Sequence, residues 1–400
     1  MKIRNIFRNI DWLTVFICMM WGRDLLNYAN AVFLRLPVLK EFGEYSSEIL
    51  IVIVLIICLR SIPRYITKGW VFFYLFWFMA YILSYSHINN AIFLDNNFAP
   101  FFLTVLPLIF VGRAIDIDKL SKPLYYVSLV YVLWKFVMIV FLQSAEREMG
   151  EMTEYNMSAA YKLLPHLIMV TWHLCRKFNL IDLGATMAGV VILFGFGTRG
   201  PVLCWIVFIV LYFLFAREYK RKVLSITVIV VLAFASLTYV NVVFDTLSMT
   251  TRSLGLSNRI YKHMEDDMLN SDSGRDRIHK IVLQATSEHE VLGLGICGDR
   301  AATGDDYSHN LFVELIASFG YVLGPIMIAA LIIYLFMAYR CCNTQDKKGF
   351  YLVLLSYNIQ LLLSGSFLQT PLMFMYLGYC SRLIHDKKHT PALYGASMQA

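Results

Sequence analysis

Charge is what this sequence has least of. Only 16% of its 400 residues are Asp, Glu, Lys or Arg, against 58% hydrophobic, and its mean hydropathy is +0.60. A soluble domain carries about 25% charged residues, so an ordinary water-soluble globule is excluded. A disulfide framework is missing too. Of the eight cysteines, Cys18, Cys58, Cys175, Cys204 and Cys380 lie in apolar runs and Cys341 and Cys342 in a basic loop, leaving Cys297 in a polar stretch with no obvious partner. There is no CxxC pair or Cys/His metal spacing, no internal repeat of the transporter kind and no low-complexity tract. The short alternating segments of a membrane β-barrel are absent, because runs such as residues 49–59 are continuously apolar. Lys2, Arg4 and Arg8 followed by an apolar run over residues 12–21 resemble a signal peptide, but small-residue cleavage chemistry is lacking after Met20. This segment is expected to stay as a first helix.

What is present is a succession of apolar runs, each close to the ~20 residues that cross a ~30 Å hydrocarbon core. A spanning backbone must satisfy its own hydrogen bonds, so helices are expected. The runs predict an all-α, polytopic bundle of about twelve transmembrane helices in a single membrane domain over 1–400, at 11–34, 46–60, 69–86, 99–112, 123–142, 159–175, 181–197, 200–216, 223–241, 309–339, 349–364 and 367–384. Basic residues give an independent test, since Lys and Arg collect in cytoplasmic loops. One alternating set of connections holds Lys2/Arg4/Arg8, Arg60/Arg64/Lys68, Arg113/Lys119/Lys122, Arg176/Lys177, Arg217/Lys220/Arg221/Lys222, Arg340/Lys347/Lys348 and Arg382/Lys387/Lys388, which is 21 of the 35 Lys and Arg residues. Both termini are therefore expected in the cytoplasm. The formal charge of +7 is read as this topological signal and not as affinity for nucleic acid.

Residues 242–308 break the pattern of short loops. They form a large polar segment, expected outside the cell membrane, with seven Lys/Arg against eleven Asp/Glu. A loop this long usually has a function of its own. Within it, residues 275–285 predict a short amphipathic helix with Ile278, Ile281 and Val282 on one side and Ser273 as a candidate cap. The acidic stretch 146–154 predicts a second, smaller external loop.

Three places on the expected outer side could carry chemistry. Gly197-Thr198-Arg199-Gly200-Pro201 sets a guanidinium among small residues at a membrane edge; its planar fork suits phosphate oxygens, while the plainer reading is a snorkelling arginine in a tight turn. Ser273-Gly274-Arg275-Asp276-Arg277 opens the amphipathic helix, and Gly293-Leu294-Gly295 follows. There the plainer reading of Arg275 is an exposed ion pair with Asp272 or Asp276, worth ~0 to 1 kcal/mol. Ser308-His309-Asn310 stands at the mouth of an apolar helix. An interfacial histidine can take a proton from a hydroxyl, or can simply cap. Glu314, one turn further, is an ionisable group within a span, at a cost of ~2.5 to 3.5 kcal/mol that usually marks function.

The order Thr198-Arg199-Gly200, Arg275, Gly293-Leu294-Gly295, His309-Asn310 and then, nine residues on, Gly320 resembles the O-antigen polymerase and O-antigen ligase superfamily across residues 190–340. Leu323 stands where the family pattern places a second small residue, and Gly324 follows; Ile278 and His279 occupy the region of a common aromatic. The resemblance implies an inverting glycosyltransferase that moves a glycan from undecaprenyl diphosphate to a sugar hydroxyl, with no metal, nucleotide sugar or cofactor. By that analogy Arg199 and Arg275 grip the diphosphate, His309 activates the acceptor, and Arg277, Asn310, Glu314 and Thr198 bind substrate. It also implies as partners an undecaprenyl-diphosphate-linked oligosaccharide, the bilayer, a chain-length regulator and a flippase, at the outer face of the cytoplasmic (inner) membrane, in the making of O-antigen or capsule. Polymerase is the leading reading and ligase the alternative. A flippase or secondary transporter, which would carry paired charges in several helices, is set against few intramembrane ionisable groups: Arg23/Asp24, Lys135, Lys162, with His166 a turn away, and Glu314.

Overall fold

A computed structural model describes residues 11–27, 46–58, 66–139, 157–196, 198–216, 249, 274–304 and 307–389. Among them there is helix and no strand, as the apolar runs demand. In chain order the helices are α1 (Trp12–Trp21), α2 (Ser46–Cys58), α3 (Lys68–Ser84), α4 (Ala91–Ala99), α5 (Leu108–Ala114), α6 (Ile117–Val137), α7 (Met157–Arg176), α8 (Leu180–Gly195), α9 (Arg199–Leu211), α10 (Arg275–Ser287), α11 (Gly298–Thr303), α12 (Leu311–Arg340), α13 (Gln345–Asn358), α14 (Gln360–Leu363) and α15 (Pro371–His389). A π-helical stretch at Pro100–Val105 joins α4 to α5, so the expected span at 99–112 is the second half of a longer apolar helix, Ala91–Ala114.

Three described helices, Ala91–Ala114, Arg199–Ala216 and Leu311–Arg340, are long and apolar enough to cross a membrane, and α1, α3 and α8 are shorter apolar helices. Large apolar side chains such as Phe72, Leu83, Leu103, Ile326, Ile333 and Phe336 stand exposed around the bundle. An apolar surface of that extent needs a lipid solvent. The expected span at 223–241, the acidic stretch 146–154 and the cap at Ser273 lie outside the described residues.

Small residues set the closest helix crossing. A Cβ on Gly112 of α5 would sit 1.9 Å from the Met375 carbonyl oxygen of α15, and one on Gly378 would sit 2.0 Å from that of Ile109. Glycine at both positions lets the two backbones touch, the usual route to tight packing where lipid removes the hydrophobic drive between helices.

The expected span at 309–339 forms as α12, long and apolar enough to cross a membrane, and it breaks at Gly320, whose φ of 76° and ψ of 179° are non-helical. Hydropathy cannot register the break because glycine does not interrupt an apolar run. The half before it is buried at Leu311, Glu314, Leu315, Ala317, Ser318 and Phe319, and the half after it is lipid-exposed at Val322, Ile326, Ile332, Ile333 and Phe336. Irregular backbone at membrane depth is tolerated where protein surrounds it.

The two ends of the bundle differ. At one end Arg176 meets Asp346 at 2.7 Å, Lys347 meets Asp386 at 3.9 Å, Arg382 meets Asp386 at 3.0 Å and Lys387 donates to the Arg340 carbonyl at 3.2 Å. The candidate chemistry gathers at the other end, where α7, α9 and α12 begin.

Candidate functional site

The site starts from glycines. Gly293 (φ 72°) and Gly295 (φ 78°) hold left-handed backbone, which costs glycine least. A Cβ on Gly293 would lie 2.4 Å from the Gly320 nitrogen, and one on Gly320 would lie 2.6 Å from the Glu290 carbonyl oxygen. The loop turn and the helix break therefore fill each other. Backbone bonds seal the joint: Leu294 N–H donates to Ala317 C=O at 2.7 Å, and Tyr321 N–H to Glu290 C=O at 2.7 Å. The donors and acceptors released where α12 breaks are thus used by the loop. Gly324 completes the joint, since a Cβ there would come within 2.8 Å of Ile316 Cα. On its other side the loop is held by α3 and the turn after it. Ile296 N–H donates to Ser84 Oγ at 2.7 Å, and Asn90 Nδ2 donates to Leu294 C=O at 2.7 Å and to Ile296 C=O at 3.3 Å.

This frame carries α10 across the start of α12. Val282 and Thr286 are buried, Ile278 and Ile281 are half-buried, and the Tyr321 hydroxyl donates to Leu283 C=O at 2.9 Å. His279 Nε2 lies 2.8 Å from Ser308 C=O, so that nitrogen carries the proton and donates. Arg275 is one turn before His279 on the same helix face. It is half-buried and within electrostatic reach of Tyr307, whereas Arg277 is exposed.

Tyr307 is the hub. Its ring centroid lies 4.1 Å from that of His309 and 5.6 Å from the Arg300 guanidinium carbon, and its hydroxyl is hydrogen-bonded with Ser364. Burial pushes the phenol up from its ordinary pKa, against the opposing pull of Ser364, Arg300 and Arg275. His309 is half-buried with φ 54°, left-handed backbone that costs a non-glycine residue ~1–3 kcal/mol and tends to occur where function demands it.

Beneath this surface runs a buried ionic network. Arg300 is 3% exposed; its Nη1 lies 3.2 Å from Asp299 Oδ1 and 3.5 Å from Glu314 Oε1, and its Nη2 donates to Ser366 Oγ at 2.9 Å. Burial works against the Arg300 charge, but the two carboxylates outweigh it and raise the pKa above the ordinary arginine value. Asp299 Oδ2 accepts from Ser308 N–H at 2.9 Å, fixing the backbone just ahead of His309. Glu314, 1% exposed, also accepts from Ser366 Oγ and, at 3.1 Å, from Phe367 N–H.

The expected substrate-binding residues therefore divide. Glu314 is sealed in the network. Asn310 is committed at both ends of its amide: Oδ1 caps α12 by accepting from Phe312 and Val313 N–H at 2.9 and 3.3 Å, and Nδ2 donates to Leu362 C=O at 3.0 Å. Both hold the site together instead of facing outward. Thr198 is buried at the start of α9, and its hydroxyl has no hydrogen-bond partner among the described residues. Arg199, the first residue of α9, is exposed. The adjoining Gly200 packs on Tyr161, and a Cβ there would lie 3.9 Å from Leu363 Cβ. The start of α9 is thereby set beside Ser364, the partner of Tyr307. Gly197 lies outside the described residues.

A loop turn docked in a broken helix, with an arginine-led helix laid over a histidine at the helix mouth, is the arrangement on which a family comparison bears. Residues 184–328 match the O-antigen ligase family. The matched O-antigen ligase segment runs from α8 into α12 and contains Arg199, Arg275, Gly293, Gly295, His309 and Gly320. It bears out the superfamily resemblance read from those residues. The family implies a glycosyltransferase-like enzyme that works on lipid-linked saccharide in a bilayer. Neither the curated proteins nor the solved structures contain a match.

Asp299, Arg300, Ser366 and Tyr307 were not anticipated. In sequence they are ordinary polar residues of a long loop and a turn. The one available signal was Asp299-Arg300 following the Gly293-Leu294-Gly295 turn, an oppositely charged pair beside a backbone constraint.

Proposed function

We propose that this chain is a polysaccharide polymerase that joins lipid-linked repeat units at the outer face of the cytoplasmic membrane, as one of about twelve-span topology with residues 242–308 as its external segment. The acceptor hydroxyl oxygen attacks the anomeric carbon of the donor glycan. The bond from that carbon to the diphosphate oxygen breaks, His309 takes the hydroxyl proton, and undecaprenyl diphosphate departs with the bonding electrons. One displacement inverts the anomeric centre.

The observation that carries this reading is the convergence on Tyr307: His309 against its ring and Arg275 within electrostatic reach. Guanidiniums at a poorly solvated edge offset charge developing on a leaving diphosphate, usually the largest contribution to such catalysis. Arg275 and Arg199 supply that charge, with Arg277 as a helper. Arg300 acts through its neighbours, because two carboxylates already surround it. The basic end of the bundle, with Arg176, Arg340, Lys347 and Arg382, supports a cytoplasmic assignment opposite the site.

Arg275→Ala and His309→Ala each leave the protein inserted while surface polymer falls to a single repeat on a gel. Long polymer from either variant at wild-type level rejects the proposal. The ligase alternative draws on the match to the O-antigen ligase family, and the same gel separates the two. A ligase variant accumulates long polymer on undecaprenyl diphosphate, whereas a polymerase variant accumulates short units. A transporter would move labelled lipid-linked units across vesicles without changing glycan length.

A further inference from the structure

We propose that Lys135 and Lys162, held by Asp24, form a second polyprenyl-diphosphate site, which takes the acceptor lipid while the arginines take the donor. This rests on the polymerase reading, in which both substrates carry a diphosphate.

The cluster joins three helical segments and is separate from the site above. Lys162 of α7 places its ammonium 3.4 Å from Asp24 Oδ1, and the Tyr131 hydroxyl of α6 donates to Asp24 Oδ2 at 3.2 Å. Lys135, one turn beyond Tyr131, lies within electrostatic reach of both Asp24 and Lys162, and its ammonium stands 4.7 Å from the Trp134 ring centroid. His166 stacks on Tyr131 with ring centroids 3.9 Å apart, its Nδ1 lies 3.3 Å from Ser128 Oγ, and the same Oγ accepts from Trp21 Nε1 at 3.0 Å. Tyr131 is thus fixed from below and Asp24 from the side.

Among the described residues the cluster sets two ammoniums against one carboxylate, leaving a positive excess in apolar surroundings. Ionisable groups in such positions mark ligand or ion sites more often than structural ones. Lys162 is 57% exposed and so can reach a ligand. A lysine ammonium is a compact, mobile point charge that suits anchoring a phosphate, whereas the planar arginine fork suits stabilising one that leaves.

The placement is specific. Tyr161, next to Lys162, is the residue packed on Gly200, and Met157 at the start of α7 accepts from Ser364 Oγ at 3.4 Å. The lysine cluster therefore lies at the end of the bundle where α9 begins with Arg199. A reaction between two lipid-linked units involves two anionic head groups, the acceptor's being set off from the reacting carbon by the length of its own glycan, so a cationic locus apart from the donor arginines fits the second.

The test counts bound undecaprenyl diphosphate on the full chain by native mass spectrometry from nanodiscs. Wild type binds two copies. K135Q/K162Q binds one, with at least tenfold weaker retention of the second, and K135R/K162R recovers it because charge is restored. R199Q/R275Q loses the other copy and keeps this one, so failure of the donor site and failure of the lysine site read out separately. Should the double variant not fold, K162Q alone leaves the Tyr131 to Asp24 bond intact and still weakens the second copy. Inorganic diphosphate competes for the second copy if the head group supplies the contact. One bound copy in wild type, two in K135Q/K162Q, or equal displacement of the second by phosphatidylglycerol overturns the proposal.

Discussion

Gly320→Ala tests the joint on which the site depends. At φ 76° and ψ 179° alanine meets backbone strain of ~1–3 kcal/mol, and its Cβ would fall 2.6 and 2.7 Å from the Glu290 and Val291 carbonyl oxygens and 2.8 Å from the Gly293 nitrogen. These are main-chain atoms of a hydrogen-bonded turn and cannot swing aside as a side chain would. Undocking the loop relieves the clash but forfeits the bonds from Leu294 to Ala317 and from Tyr321 to Glu290, each worth ~0.5–1.5 kcal/mol. Opening should become easier by about 3 kcal/mol, or roughly 10²-fold in population at ~1.4 kcal/mol per decade. Cys297 reports this directly. It is 1% exposed and burial pushes its thiol up to about 12, so alkylation requires opening. In a variant whose only cysteine is Cys297, Gly320→Ala should speed maleimide labelling about 10²-fold and shorten surface polymer to one repeat. Gly184→Ala is the control: a Cβ there meets nothing within 4 Å, and helix propensity favours alanine by ~1 kcal/mol. Wild-type labelling and polymer length in Gly320→Ala would refute the account of the joint.

The buried network makes its own prediction. Arg300→Ala leaves Asp299 and Glu314 facing each other unneutralised, which should cost ~3–5 kcal/mol and lower the detergent melting temperature, whereas Arg277→Ala, at an exposed position, should leave that temperature unchanged. Ser84→Ala strands the Ile296 N–H, so it should destabilise by ~1–3 kcal/mol and raise Cys297 labelling to a lesser degree than Gly320→Ala. Gly378→Leu pushes α15 off α5, where a Cβ already lies 2.0 Å from a carbonyl oxygen; it should abolish a cooperative thermal transition measured in detergent.

What could be read from the chain and what could not divide along physical lines. Helical membrane character was legible because lipid leaves a spanning backbone few options. The amphipathic helix expected at 275–285 forms as Arg275–Ser287, since three apolar residues at helical spacing have one buried face to occupy. The spacing from His309 to Gly320 was legible as a motif but not as a mechanism. Only the fold reveals that Gly320 is the socket for Gly293 and that Gly324, not the Leu323 position, is the small residue the joint requires. Asp299 and Arg300 escaped notice because a charged pair in a polar loop normally faces water, and nothing local announces burial. The link from Asp24 to Tyr131 and Lys162 was hidden for another reason: its members are separated by 107 residues in one step, and each alone is an isolated polar group in an apolar run. Glu314 stands out in the sequence through the cost of burying it, and in the fold that cost is met by Arg300, Ser366 and Phe367.

The vertical layering of charge at the mouth of α12 has an effect of its own. Half-buried Arg275 and exposed Arg277 lie on the helix laid over a sealed layer in which Asp299, Glu314 and Ser366 already occupy the Arg300 guanidinium. In the proposed reaction a diphosphate is therefore met by the outer arginines alone, since the inner guanidinium has no open face to draw it deeper.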